Sequence, residues 1–239
     1  VISVAKPRFL RFHDLNRSAV NVEWQVHTTQ TDGEASIADV LSTAHERGLA
    51  SIAFTEHVRK ETAWFDSFAG EVRRASNAFP GLVTYVGCET KAMDLLGNLD
   101  VSESILAACD VVLGVVHRFP DGKGGYLDFK SMPPDQVATM EFELSLGMIR
   151  NSPIDVLGHP GGMYQRRHGV FPEHLFRALM EESLKHGIAI EINSSYLADM
   201  KAFLRLCEDV NPHVSIGSDA HRLIEIGRCR DILLETLKL

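Results

Sequence analysis

Seven β-strands, each followed by a helix and wound about a mainly parallel sheet, are what this 239-residue sequence predicts. Three observations carry the prediction. Short apolar runs alternate with amphipathic stretches from Val22 to the C-terminus. The runs recur at roughly 30-residue intervals, the length of a strand, a helix and two loops. Ligand-type side chains sit at or just beyond the C-terminal ends of these runs.

The first strand is Val22–Val26, and its helix starts near Ser36, carries Ile37, Val40, Leu41 and Ala44 on one face, and stops at Gly48. Ser51–Thr55 is the second strand, followed by a helix over Phe65–Phe79 that ends at Pro80-Gly81. Val83–Cys88 is the third and Val111–Val116 the fourth. A long irregular segment then runs from Arg118 to Pro134, and a loop of that length inside a folded domain points to function. A helix at Asp135–Arg150 leads to a strand at Ile154–Gly158. Next come a helix at Pro172–Lys185, with Pro172 near its first turn, and a strand at Ile188–Ile192. A helix at Ala198–Asp209, a last strand at His213–Gly217 and a helix near Glu225–Lys238 complete the series. With no linker, repeat or low-complexity tract, residues 1–239 read as one domain whose core is about 22–239, with 1–21 as an N-terminal extension.

A hydrophobic content of 45% with 23% charged residues excludes disordered, collagenous and disulfide-scaffold classes. No apolar run spans a bilayer, and Val1 to Asn21 lacks the apolar core and cleavage site of a secretory signal. The formal charge of −8, from 24 basic and 32 acidic residues, disfavours nucleic acid and anionic membrane as partners. Cys88, Cys109, Cys207 and Cys229 form no C-x-x-C pair, so buried free thiols in a reducing cytoplasm are expected.

Histidine is abundant, at eleven. His27, His57, His117 and His159 fall at four strand ends, Glu89 at a fifth and the Asp219/His221 pair at a sixth. Strand alternation puts Gln25 with His27, Thr55 with His57, Gly87 with Glu89, Glu191 with Asn193, and Gly217 with Asp219 on shared faces. In a parallel barrel those faces converge on the C-terminal mouth, where active sites of this architecture lie. His13, His45, His168, His174, His186 and His213 lie elsewhere and read as ordinary packing or surface residues. Imidazoles and carboxylates without thiolate suit Zn²⁺, Mn²⁺ or Fe²⁺, and so many donors imply two or three ions. Such a centre lowers the pKa of a bridging water and clamps the oxygens of a phosphoryl transfer. It would also make the pocket locally positive within an acidic chain.

At these residues the sequence resembles the PHP (polymerase and histidinol phosphatase) domain family. Gln25-Val-His-Thr-Thr-Gln-Thr-Asp-Gly33, Phe54-Thr-Glu-His57, Gly87-Cys-Glu89, Val116-His117, Gly158-His-Pro160, Glu191-Ile-Asn193 and Ser218-Asp-Ala-His221 match its motifs in order. The stretches Ile154–Arg167 and Ala189–Ser195 are most similar to the PHP domains of bacterial X-family DNA polymerases and their stand-alone phosphatase relatives. The resemblance implies a distorted (β/α)7 barrel, a trinuclear metal site and phosphoesterase chemistry. Its metal ligands would be His27, Asp32, His57, Glu89, His117, His159, Asp219 and His221. Gln25 stands where the family usually has histidine; its amide oxygen is a neutral, weaker ligand suited to a harder ion.

Arg59, Lys91, Arg118, Arg166 and Arg167 lie next to these positions and are candidates for the substrate phosphate, with Arg118 and Arg167 the preferred pair. The expected reaction is hydrolysis of a small phosphate monoester. Asp219 and His221 serve at the reacting centre, His221 or a neighbouring group of the ligand shell handles the leaving-group proton, and Arg167 neutralises charge. Alternatives are a nuclease or phosphatase acting on a nucleic-acid 3′ end, a non-catalytic regulatory module, and C–N bond hydrolysis.

Overall fold

Seven parallel strands hydrogen-bond in chain order in the computed structural model, which describes residues 6–239. They are β1 (Val22–Val26), β2 (Ser51–His57), β3 (Val83–Lys91), β4 (Val111–Val115), β5 (Val156–Leu157), β6 (Ala189–Asn193) and β7 (Val214–Gly217). Around them lie α1 (Ile37–Glu46), α2 (Phe65–Ala75), α3 (Glu103–Ala108), α4 (Pro134–Asn151), α5 (Gly162–His168), α6 (Glu173–His186), α7 (Met200–Val210) and α8 (Arg228–Thr236). The predicted barrel of seven units is therefore the observed architecture, a nearly closed α/β barrel. None of the described helices is long and apolar enough to cross a membrane.

Local chemistry sets most helix ends. Ser36 and Asp39 form a reciprocal capping box at the start of α1, and Asp199 caps Ala202 N–H in α7. Pro134 occupies the first turn of α4, and Gly187 ends α6 in the left-handed region. Two helices escape the sequence reading. α3 is a single short segment behind Ser102, and α5 begins at a Gly161-Gly162 pair that reads as a turn. The predicted C-terminal helix is broken, because Gly227 in the left-handed region separates a short turn at Leu223–Glu225 from α8. Strand β5 is only two residues long, since the chain leaves the sheet to turn into Gly158-His159-Pro160.

Parallel pairing between β1 and β7 is confined to the mouth, where His27 N–H donates to Ala220 C=O (2.9 Å) and Ala220 N–H donates to Gln25 C=O (3.0 Å). A buried carboxylate reinforces this seam. Glu23 accepts from Ser218 N–H at 2.7 Å and Gly227 N–H at 2.9 Å, and burial pushes its pKa up to about 7. At the other end of the barrel, Val214 N–H donates to Leu10 C=O (2.9 Å), so the N-terminal segment is fastened across the barrel floor.

The register of β1 on β2 shifts between Glu23 and Val26. Its consequence is visible in the contacts of two successive residues. Trp24 packs on Tyr85 with ring centroids 5.3 Å apart, while Gln25 reaches Glu89, and Tyr85 and Glu89 share one face of β3. Neighbours in a regular strand point to opposite faces, so the bulge lets Trp24 fill the barrel floor and Gln25 enter the polar layer above it.

Replacing Glu23 by Ala strands two buried N–H groups beside the seam, and the expected loss on urea denaturation is on the order of 3 kcal/mol. Glu23→Gln keeps one of the two acceptor oxygens and sets its NH₂ against the other N–H, so it is expected to recover only part of that loss; wild-type stability in the alanine variant would show that the seam does not depend on these bonds.

Candidate metal centre

At the barrel mouth the buried Glu89 carboxylate is the hub. His57 Nδ1 lies 2.5 Å from its Oε2, while His159 Nε2 and His117 Nε2 lie 2.9 and 3.4 Å from its Oε1. Gln25 Nε2 donates to Oε1 at 3.0 Å. Burial alone would raise the pKa of Glu89, but the facing His117, His159 and His57 hold it well below the usual carboxylate range. His57 responds in kind: burial opposes its protonation, yet Glu89 and then Asp32 carry its pKa up to about 9. The pocket thus favours positive charge.

Beside this hub, Asp32 arrives on the loop after β1. Its Oδ2 lies 3.2 Å from His57 Nε2 and its Oδ1 3.3 Å from His221 Nε2. His27 is stacked between His57 and His221, with centroids 4.4 and 4.5 Å away. Its Nε2 is 3.1 Å from Asp219 Oδ1, but the two are not aligned for a hydrogen bond. Both ring nitrogens of His27, Asp219 Oδ1 and Glu89 Oε2 are buried without a hydrogen-bond partner, His57 Nδ1 standing close to Oε2 but off the bonding direction. Buried polar atoms left this way need an explanation, and a shared cation supplies one. Two sets of donor atoms have the span to hold an ion, His27 with Asp32, His57 and His221, and His57 with Glu89 and His117. The residues fit divalent metals of the kind that imidazole and carboxylate together select.

Two of the four described non-glycine residues with positive φ lie at the same place. His159 and Asp219 adopt positive φ, 27° and 49°, a conformation that costs a non-glycine residue about 1 kcal/mol or more. Each is held there by a buried partner. His159 N–H donates to Glu191 Oε2 at 2.6 Å, and Asp219 follows Ser218, whose N–H is bound by Glu23. Asn193 Nδ2 donates both to Glu191 Oε2 and to Gln25 Oε1, each at 3.0 Å. Burial raises the Glu191 pKa to about 8.

Gln25 and Arg167 depart from the sequence expectation. A carboxylate only accepts, so the Gln25 amide must turn its NH₂ to Glu89, and its oxygen is taken by Asn193; Gln25 here braces the hub. Arg167 is exposed on α5 and lines neither cavity at the mouth, whereas its neighbour Arg166 lines both. Arg59, Lys91 and Arg118 border the cavity over the hub. Lys91 is paired with Asp100 at 3.0 Å. His13, His45, His168, His174, His186 and His213 take no part, and Cys88, Cys207 and Cys229 are buried free thiols.

Tyr196 is the main participant that the sequence reading passed over. Its ring stacks on His159 with centroids 4.3 Å apart, and its hydroxyl accepts from Arg166, whose guanidinium lies over the ring. A side chain at Gly162 would put Cβ 2.9 Å from Tyr196 Cδ1 and 3.1 Å from His159 Nδ1, so glycine there makes room for the stack. Glu141 was also missed. Fully buried in α4, it accepts from Met163 N–H (2.9 Å) and Tyr164 N–H (2.8 Å) at the start of α5, the helix that presents Arg166. Nothing in α4 marks it, since a glutamate on an amphipathic helix is normally solvated.

An α/β barrel that gathers five imidazoles and three carboxylates at its C-terminal mouth belongs to a class of metal-dependent hydrolytic folds. The family model described as "PHP domain" matches residues 23–195, and the chain belongs to that family. It is 27% identical over 222 residues to a "Probable phosphatase" of Thermoanaerobacter sp. strain X514, covering 87% of this chain and 82% of the relative. A "Probable phosphatase" of Caldicellulosiruptor bescii is 27% identical over 225 residues, with 88% and 83% covered. Among solved structures, the "putative histidinol phosphatase" of Listeria monocytogenes superposes with a TM-score of 0.70 at 16% identity, over 87% of this chain and 97% of that one, a likeness of fold.

Burial raises the Glu141 pKa to about 8 from a reference near 4.5. The folded state therefore holds a proton that the unfolded state has lost between those values, and stability falls as pH rises from 5 to 8. Glu141→Gln should flatten this slope in denaturation curves at pH 5, 6.5 and 8, and an unchanged slope would remove Glu141 from the account.

Proposed function

We propose that this chain is a metal-dependent phosphatase that hydrolyses small phosphate monoesters. The observation that carries the reading is the pair of donor sets meeting at His57, with orphaned buried atoms of His27, Glu89 and Asp219 turned toward the same space. Membership of the PHP family and the likeness to relatives named as phosphatases support it. His27, Asp32 and His221 would hold one divalent ion, and His57, Glu89 and His117 a second, since a neutral imidazole ligates one ion, with His159 and Asp219 completing the ligand shell. Two ions, one for each donor set, is the lower of the two expected counts, and the engaged amide of Gln25 supports it. Divalent ions bound there supply Lewis-acid polarisation of the phosphoryl group and a water of lowered pKa.

The protein's own groups do the rest. Arg166, which the described residues leave without a carboxylate partner, neutralises charge on the phosphoryl oxygens, replacing the Arg167 of the sequence expectation. Tyr196 holds the guanidinium over the mouth through its ring and hydroxyl. His221 is oriented as a ligand, so the leaving-group proton falls to a neighbouring group of the ligand shell. Its Nδ1 is 2.9 Å from the Asp219 carbonyl, which leaves Nε2 facing the pocket beside Asp32. Glu225 accepts from the His221 N–H at 3.0 Å and so fixes the backbone that carries it.

Purified protein is expected to release phosphate from a panel of sugar, amino-alcohol and nucleotide monoesters with Mn²⁺ or Zn²⁺, and chelator should abolish it. His159→Ala and Asp219→Ala should each lose bound metal by elemental analysis and at least a hundredfold in kcat; full activity in either would refute the assignment. Arg166→Gln should lower kcat about ten- to a hundredfold with its metal content intact, while Arg167→Gln stays near wild type.

A further inference from the structure

The cations at the mouth come from four successive strand ends of the barrel. Arg59 follows β2, Lys91 ends β3 and Arg118 follows β4, whereas Arg166 is carried by α5 after β5. The cavity over the hub, about 410 Å³, touches all four, but the adjoining cavity that Arg166 also lines reaches none of the first three. Among the described residues, Arg59 and Arg118 have no carboxylate within ion-pair distance, in a chain whose formal charge is −8. Lys91 is different: with Asp100 at 3.0 Å its charge is already matched.

The long segment after β4 fixes the geometry around Lys91 and Arg118. It folds back as a small hairpin in which Leu127 N–H donates to Phe119 C=O at 2.8 Å and Asp121 Oδ1 accepts from Lys123 N–H and Gly125 N–H. The hairpin sets Tyr126 between two cations, Lys91 Nζ at 5.3 Å and Arg118 Cζ at 5.2 Å from its ring centroid. The Tyr126 ring holds Arg118 in place, and the fork of Arg118, which lines the same cavity as Arg59, is left for a ligand. On the phosphatase reading, one phosphoryl group at the hub would be met by Arg166 and the bound ions.

Resting on the phosphatase reading, we propose that Arg59 and Arg118 form a second anion subsite. The substrate class is then a phosphate monoester whose leaving alcohol carries a further phosphate or carboxylate.

Phosphonates test this by calorimetry on the metal-loaded protein, because their C–P bond is not an ester and binding is read whether or not the protein turns over esters. Propane-1,3-diphosphonate and 3-phosphonopropanoate each carry a second anion, and propylphosphonate does not. At least one of the first two is expected to bind about tenfold more tightly than propylphosphonate, the gain of one charge-assisted hydrogen bond. The ligand that shows the gain identifies the second group as phosphate or carboxylate. The ratio should fall to near one in the folded, metal-loaded R59Q/R118Q double variant and persist in R166Q, which weakens all three alike. Equal affinities in the wild type, or a ratio that survives in R59Q/R118Q, would overturn the subsite. A ratio that behaves as stated while no monoester is hydrolysed would keep the subsite and retire the phosphatase reading.

Discussion

A carboxylate buried at the centre of a barrel is tolerated only if something positive faces it, and Glu89 is such a carboxylate. Three histidines from three other strand ends approach it within 3.4 Å, and Gln25 donates to it from a fourth. Most of the polar architecture answers to that constraint. Asn193 sets the Gln25 amide, Glu191 holds the strained His159 backbone, and the β1 bulge delivers Gln25 to the layer where it is needed. Chemistry follows from the same imbalance. The ionised Glu89, with Asp32, raises the pKa of His57, and the same fixed negative charge is available to a bound cation.

The surrounding scaffold converts this charge into direction. Parallel strands with a shared polarity bring their C-terminal ends together, so a residue at the end of each needs only the correct parity to enter the mouth. Loops add what strands cannot. Asp32 comes from the β1–α1 loop, Tyr196 from the segment after β6, and the hairpin after β4 places Tyr126 over the rim. Short α5 owes its position to Glu141, which takes on the two N–H groups that a helix start leaves free.

Much of this was legible in the sequence, for a physical reason. Alternation along a strand and the length of a strand–helix unit are local properties, so the order of strands and the placing of His27, His57, Glu89, His117, His159 and Asp219 at their ends could be read directly. What depends on contacts across the barrel could not. The choice between Arg166 and Arg167 turns on the phase of a helix that begins at two glycines. The role of Gln25 depends on Asn193, 168 residues away, and that of Glu141 on backbone N–H groups in another helix. The bulge at Trp24 leaves no mark on composition, since its evidence is a register shift against β2.

Whether the mouth is a metal centre is settled most directly by anomalous diffraction from crystals grown with Mn²⁺. The account predicts anomalous peaks at the mouth, one among His27, Asp32 and His221 and one among His57, Glu89 and His117. Protein that shows no peak at either set in saturating Mn²⁺, or binds the ion only elsewhere, would contradict it.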